Sequence, residues 1–107
     1  MLFCGILLEK ELNKIEKLRH KIDATDIQLV KLLNNRAGFA DEIGKIKRKL
    51  KLPVYVPSRE IDVIANVQAT NPGPLSDQAI SRLYERIIDE SRRLEKENQD
   101  KRDLKGT

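Results

Sequence analysis

Between Ile15 and Leu50 every seventh residue reads Ile15, Ile22, Leu29, Arg36, Ile43, Leu50, and the companion positions read Leu18, Thr25, Leu32, Phe39, Ile46. Apolar residues at this spacing form a stripe down one face of an α-helix that packs against other helices. No proline interrupts the run from about Glu9 to Lys51, and Gly38 and Gly44 are its only weak points. A helix of that length spans about 60 Å, longer than a domain of this size is wide. Two shorter helices of the same chain cannot cover it. The pattern therefore predicts a dimer, with a second copy lying alongside.

The prolines of Leu52-Pro53-Val54-Tyr55-Val56-Pro57 break this first helix. A second helix is predicted from Pro57, a favourable first-turn residue, to about Ala69, with Ile61, Ile64, Ala65 and Gln68 on one side. Asn71-Pro72-Gly73-Pro74 reads as a turn. Ser76 is placed to cap a third helix, with Leu75 and Ile80 as a hydrophobic staple. Its inward face carries Ile80, Leu83, Tyr84, Ile87, Ile88, Ser91, Leu94 and Glu95, and from Lys96 the nearly all-polar chain is predicted to fray. No strand pattern and no repeat occurs. The predicted fold class is all-α, three helices per chain, organised as an apolar lead-in (1–8), a helical domain (9–97) and a polar tail (98–107).

Composition sharpens this picture. A chain of 107 residues is one domain, and with 36% charged and only 4% aromatic residues its own aliphatic core is thin, which again favours oligomerisation. The 21 basic and 17 acidic residues give a net charge of +4. That balance fits either a solvated surface of mixed sign or a cationic pocket for a small anion. Nucleic acid is not expected as a partner, because the cations form no dense run with aromatics between them. Cys4 is alone, so there is no disulfide framework and a reducing cytoplasm is the default location. Nothing near Cys4 supplies a base, so its thiol reads as inert. The apolar opening from Met1 to Leu8 is too short to span a membrane and lacks both a basic start and a cleavage site. His20 has no second ligand at metal-binding spacing, and no metal is expected.

Arg36 is the anomaly in the stripe. A guanidinium there needs an anion to offset its lost hydration, and a structural carboxylate, a ligand or a register-setting role each satisfies that need. Lys47 follows eleven residues later, about 20° away around the helix and roughly 16 Å along it, so the two long side chains can converge on one ligand. Arg19, seventeen residues before Arg36, lies about 100° around and some 25 Å away. It can reach such a ligand only from an antiparallel partner chain. Ser91 and Glu95 share a face of the third helix and interrupt its apolar side, and Arg59-Glu60 opens the second helix. Each charge taken singly reads as an ordinary surface residue. Together they suggest an enclosed cationic pocket holding one carboxyl.

Five segments in this order carry a family resemblance: Leu18-Arg19-His20-Lys21-Ile22-Asp23, Leu32-Leu33-Asn34-Asn35-Arg36, Glu42-Ile43-Gly44-Lys45-Ile46-Lys47, Pro57-Ser58-Arg59-Glu60 and Ser91-Arg92-Arg93-Leu94-Glu95. The ordered set, from about Ile15 to Glu97, resembles the all-helical chorismate mutase family, of the kind found as the mutase domain of bacterial mutase–dehydratase proteins. The resemblance implies an intertwined helical homodimer with two sites. It implies conversion of chorismate to prephenate in phenylalanine and tyrosine synthesis, without a cofactor. Residue by residue, it implies that Arg36, with Arg19 from the other chain, binds the two substrate carboxylates. Lys47 would donate to a carboxylate and to the ether oxygen of the breaking bond, Glu60 would hold the ring hydroxyl, Arg59 would support the site, and Ser91 would contact a carboxylate.

Two positions depart from the common pattern. Val56 stands at a substrate-facing position where some members have an Asp, and it can neither accept the hydroxyl's hydrogen bond nor cap a helix. Glu95 stands at the second ether-oxygen contact, where some relatives have Gln. Ionised, it has no proton to give and repels the charge developing there, so the expectation is a Glu95 held protonated by apolar surroundings. Lys47, Glu95 and Arg36 are thus the expected catalytic groups. Two other activities fit the same residues: an isochorismate–pyruvate lyase of the same fold, and a non-catalytic module that senses chorismate or prephenate.

Overall fold

The computed structural model describes residues 2–105. They form three α-helices, α1 (Leu2–Lys49), α2 (Pro57–Ala69) and α3 (Asp77–Lys105), and no strand occurs among the described residues. The chain divides into two compact units, one ending at Asn34 and the other beginning at Asn35. The first consists of α1 residues alone, while the second holds the end of α1 together with α2 and α3. The apolar opening, expected as an extended or helical lead-in, is helical and continuous with α1 from Leu2, since no proline lies there to stop it. Ile6, Leu7 and Leu8 are exposed, and Met1 lies outside the described residues.

α1 stops at Lys49, two residues before the expected end and ahead of either proline. The Leu52 N–H donates to the Lys47 carbonyl at 2.8 Å and the Lys51 N–H to the Arg48 carbonyl at 3.2 Å. This is the Schellman closure, which places Lys51 in the left-handed region at φ 58°. Glycine is the usual residue there, because a Cβ in this conformation costs about 1–2 kcal/mol. Lys51→Gly is therefore expected to raise unfolding stability by about 0.5–1 kcal/mol, after the greater freedom of unfolded glycine is subtracted. Urea midpoints at matched protein concentration would show it, as a higher midpoint with an unchanged slope.

α2 starts and ends where the sequence places it. Val56 is extended and offers no side-chain cap, but Pro57 at the first turn has no N–H to leave unpaired. Beyond α2, the Asn71 side chain donates to the Leu75 carbonyl at 2.8 Å and to Asp77 Oδ1 at 2.9 Å. Ser76 Oγ accepts the Ala79 N–H at 3.1 Å, the predicted cap, and α2 packs against α3. The predicted fraying at Lys96 does not occur. Spaced polar pairs carry α3 on to Lys105, with Gln99 Nε2 donating to Asp103 Oδ1 at 2.7 Å and Arg102 Nη2 to Gln99 Oε1 at 3.2 Å. The last two residues of the expected polar tail, Gly106 and Thr107, lie outside the described residues.

Among the described residues no hydrophobic side chain is buried, and the buried polar ones are Asp41 and Ser91. The apolar stripe of α1 stands open, from Ile15 at 43% exposure to Leu32 and Phe39 at 66%. No helix among the described residues is long and apolar enough to cross a membrane.

Candidate active site

The second unit carries a half-open cleft of about 450 Å³, within the range of small-molecule sites. From α1 it is lined by Arg36, Phe39, Ala40, Ile43, Gly44, Lys47 and Arg48. Steps of three and four residues put all of these on one face of the helix. The connection to α2 adds Val54, Tyr55 and Val56, α2 itself Arg59, Glu60 and Val63, and α3 Ile88, Ser91, Arg92, Glu95 and Lys96. Seven of the eight residues singled out from the sequence, Arg36, Lys47, Val56, Arg59, Glu60, Ser91 and Glu95, thus face one space. The eighth, Arg19, belongs to the first unit, where it meets Glu16 at 2.8 Å. Both partners of that pair are well exposed, and such pairs add little stability.

Charge in the cavity is unbalanced. Six cationic side chains (Arg36, Lys47, Arg48, Arg59, Arg92, Lys96) face two carboxyls, Glu60 and Glu95. Glu60 is already occupied, in an ion pair with Arg92, whose guanidinium also lies 4.3 Å from the centroid of the Tyr55 ring. Among the described residues, no carboxylate pairs within 4 Å with Arg36, Lys47, Arg48 or Arg59. Arg36 instead donates a long hydrogen bond, 3.4 Å, to Ser91 Oγ and lies 5.9 Å from the Tyr84 ring centroid. Of the three explanations for its place in the stripe, a structural carboxylate within the described chain is thereby removed. Val56 contributes an apolar wall.

Glu95 approaches α1 where that helix has no side chain: a Cβ on Gly44 would sit 3.4 Å from the Glu95 carboxyl. Burial pushes the Glu95 carboxyl above its ordinary value. Arg48 opposes the rise, Asp41 adds to it, and Lys47 and Arg92 oppose it more weakly. Arg48, Arg92, Tyr55 and Asp41 were not singled out from the sequence. Asp41 and Arg48 stand seven apart on one helix face, a signal that was available. The stacking of Arg92 on Tyr55 joins residues remote in the chain and leaves no local trace.

Chemically, the arrangement can hold a small polyanion against an apolar floor, with an ammonium and a half-buried carboxyl nearby. Residues 18–96 match the protein-family model described as chorismate mutase type II. Over 89 residues the chain is 35% identical to a bifunctional chorismate mutase/prephenate dehydratase of Aquifex aeolicus, covering 79% of this chain and 25% of that protein. The corresponding protein of Neisseria gonorrhoeae is 37% identical over 78 residues, which is 73% of this chain and 21% of that one. The chain thus spans about a quarter of the length of these curated relatives. A solved chorismate mutase from Thermus thermophilus superposes with a TM-score of 0.75 at 36% identity, covering 78% of this chain and 94% of that one. The segment that matches the family model takes in every residue lining the cavity, so the chain belongs to the chorismate mutase type II family.

Proposed function

We propose that this chain is an isomerase that converts chorismate to prephenate, working in the cytoplasm on the route to phenylalanine and tyrosine. The observation that carries the reading is the set of cations without carboxylate partners, Arg36, Lys47, Arg48 and Arg59, gathered in one small cavity beside a carboxyl that burial drives towards its neutral form. Chorismate brings two carboxylates to such a space. Arg36 takes one of them, with Ser91 Oγ beside its guanidinium. Each charge-assisted bond of this kind is worth about 1.5–3 kcal/mol.

The rearrangement is intramolecular and needs no nucleophile. The site's tasks are to hold the compact diaxial conformer and to stabilise the charge that gathers on the ether oxygen as its bond to the ring breaks. Lys47 supplies an ammonium to that oxygen and Glu95 a carboxyl O–H. Glu60, oriented by Arg92, accepts the ring hydroxyl, the task that Val56 cannot perform, and Arg59 supports that end of the pocket.

The second carboxylate is assigned to Arg19 of a second copy. The open apolar stripe of α1 supports this dimer, because a chain with no buried hydrophobic side chain among its described residues needs a partner to become stable. The direct test is the loss of chorismate absorbance on adding pure protein, with Arg36→Ala as the inactive control. Mixing then tests the dimer. In a heterodimer of Arg19→Ala and Arg36→Ala chains one site keeps both arginines and the other has neither. Random pairing makes half the dimers mixed, so about a quarter of wild-type activity is expected from two nearly inactive proteins refolded together. No recovery from chains that do exchange would show that Arg19 does not reach the site from the other copy.

A further inference from the structure

Asp41 has no part in the chemistry above, yet its burial is unusual. The residue is 8% exposed, and its Oδ1 accepts no hydrogen bond. The other oxygen meets Lys45 Nζ at 3.5 Å, and Lys45 is itself half-exposed. A buried carboxylate oxygen without a donor keeps its field unquenched and invites a physical explanation. Its position supplies one. Asp41 precedes Gly44 by one turn on the same face of α1, and Gly44 is where the Glu95 carboxyl comes against the helix. Glu95, in turn, lines the cavity.

We propose that Asp41 is a positioning residue of the site: its buried negative charge, set behind Glu95, keeps the proton on the Glu95 carboxyl. The proposal rests on the reading of Glu95 as a proton-bearing donor and adds the group that holds it in that state. A like charge nearby disfavours ionisation. Burial acts in the same direction and is the larger influence, whereas Arg48 and, less strongly, Lys47 and Arg92 act against both. Lys45 offsets part of the Asp41 charge from the solvent side. On α2, Glu60 is paired with Arg92 and Arg59 adds one more cation to the cavity, as do Arg36 on α1 and Lys96 on α3. The cations Arg48, Lys47 and Arg92 favour an ionised Glu95, and the Asp41 charge is the group that opposes them alongside burial.

Asp41→Asn removes the charge and keeps the shape. Two readouts test it on the full chain. The first is the pH profile of kcat/KM for chorismate. The expected result is an unchanged acid plateau with the alkaline fall moved to lower pH, so that kcat/KM on the limb drops several-fold, and Asp41→Glu restores the wild-type limb. The second is a carbon-13 NMR titration of Glu95 in glutamate-labelled protein, assigned by its loss in Glu95→Gln, which needs no catalysis. Its midpoint is expected to fall in Asp41→Asn. An unmoved Glu95 titration in a folded variant overturns the proposal and leaves Asp41 a structural residue. A Glu95 midpoint that moves while the rate profile does not would instead overturn the donor role and leave Asp41's control of the proton standing. If Asp41→Asn does not fold by circular dichroism, Asp41→Ser takes its place with the same two outcomes.

Discussion

Lys47→Ala is expected to lower kcat for chorismate by about 10²–10³-fold, with a much smaller change in KM. Lys47 is half-buried at the cavity wall and no carboxylate among the described residues neutralises it within 4 Å. An ammonium so placed acts through a lower dielectric than water, where its attraction for a forming anion is several-fold larger. The substrate's ether oxygen carries little charge before the bond breaks and much more as it breaks, so the interaction strengthens towards the transition state. That is why the loss appears in kcat. Lys47→Arg keeps the charge but substitutes a planar fork for a compact ammonium, and is expected to recover only part of the rate. Following chorismate loss at several concentrations separates kcat from KM. A kcat for Lys47→Ala within about threefold of wild type, under 1 kcal/mol, would remove Lys47 from the reaction.

How far the sequence foretold the molecule depends on the range of the forces involved. α2 and the Ser76 cap were legible because proline geometry and a serine hydroxyl act over three or four residues. Lys47 and Ser91 were legible as members of a site because helical spacing alone sets them on one face with Arg36 and with Glu95. The end of α1 was not, since it depends on Lys51 taking a backbone conformation that lysine disfavours. The helical run beyond Lys96 escaped notice because polar pairs hold it, with no apolar stripe to mark it. Asp41 was not singled out, because its spacing to Arg48 shows a shared helix face but not that the face is covered. Its burial comes from tertiary structure, as does the Arg92–Tyr55 stacking. Arg19 is a different case, because no single chain contains the surroundings in which it is proposed to act.

The second large effect concerns pH. Between about pH 5 and 9, wild-type kcat/KM is expected to fall as pH rises through the elevated Glu95 value, and Glu95→Gln is expected to level this fall. The sign follows from the donor's state. Protonated, Glu95 gives an O–H to the ether oxygen. Ionised, it gives nothing and sets a negative charge beside a developing one, and the loss of one such donor is worth about 10²-fold. Burial is the first cause of the elevation, as ionising a half-buried carboxyl forfeits hydration. Glutamine keeps an N–H donor at the same reach and does not titrate. Stability must follow the same group. The folded state holds this proton more tightly than the unfolded chain, so the contribution is complete below the ordinary value of 4.5 and is lost as pH rises through the folded value. Relative to wild type, Glu95→Gln should therefore gain stability with rising pH while its rate profile stays level. Rate profiles and urea midpoints across the same pH range read the two effects separately. A level wild-type profile, or an alkaline fall that survives in Glu95→Gln, would show that the proton on Glu95 does not serve the reaction.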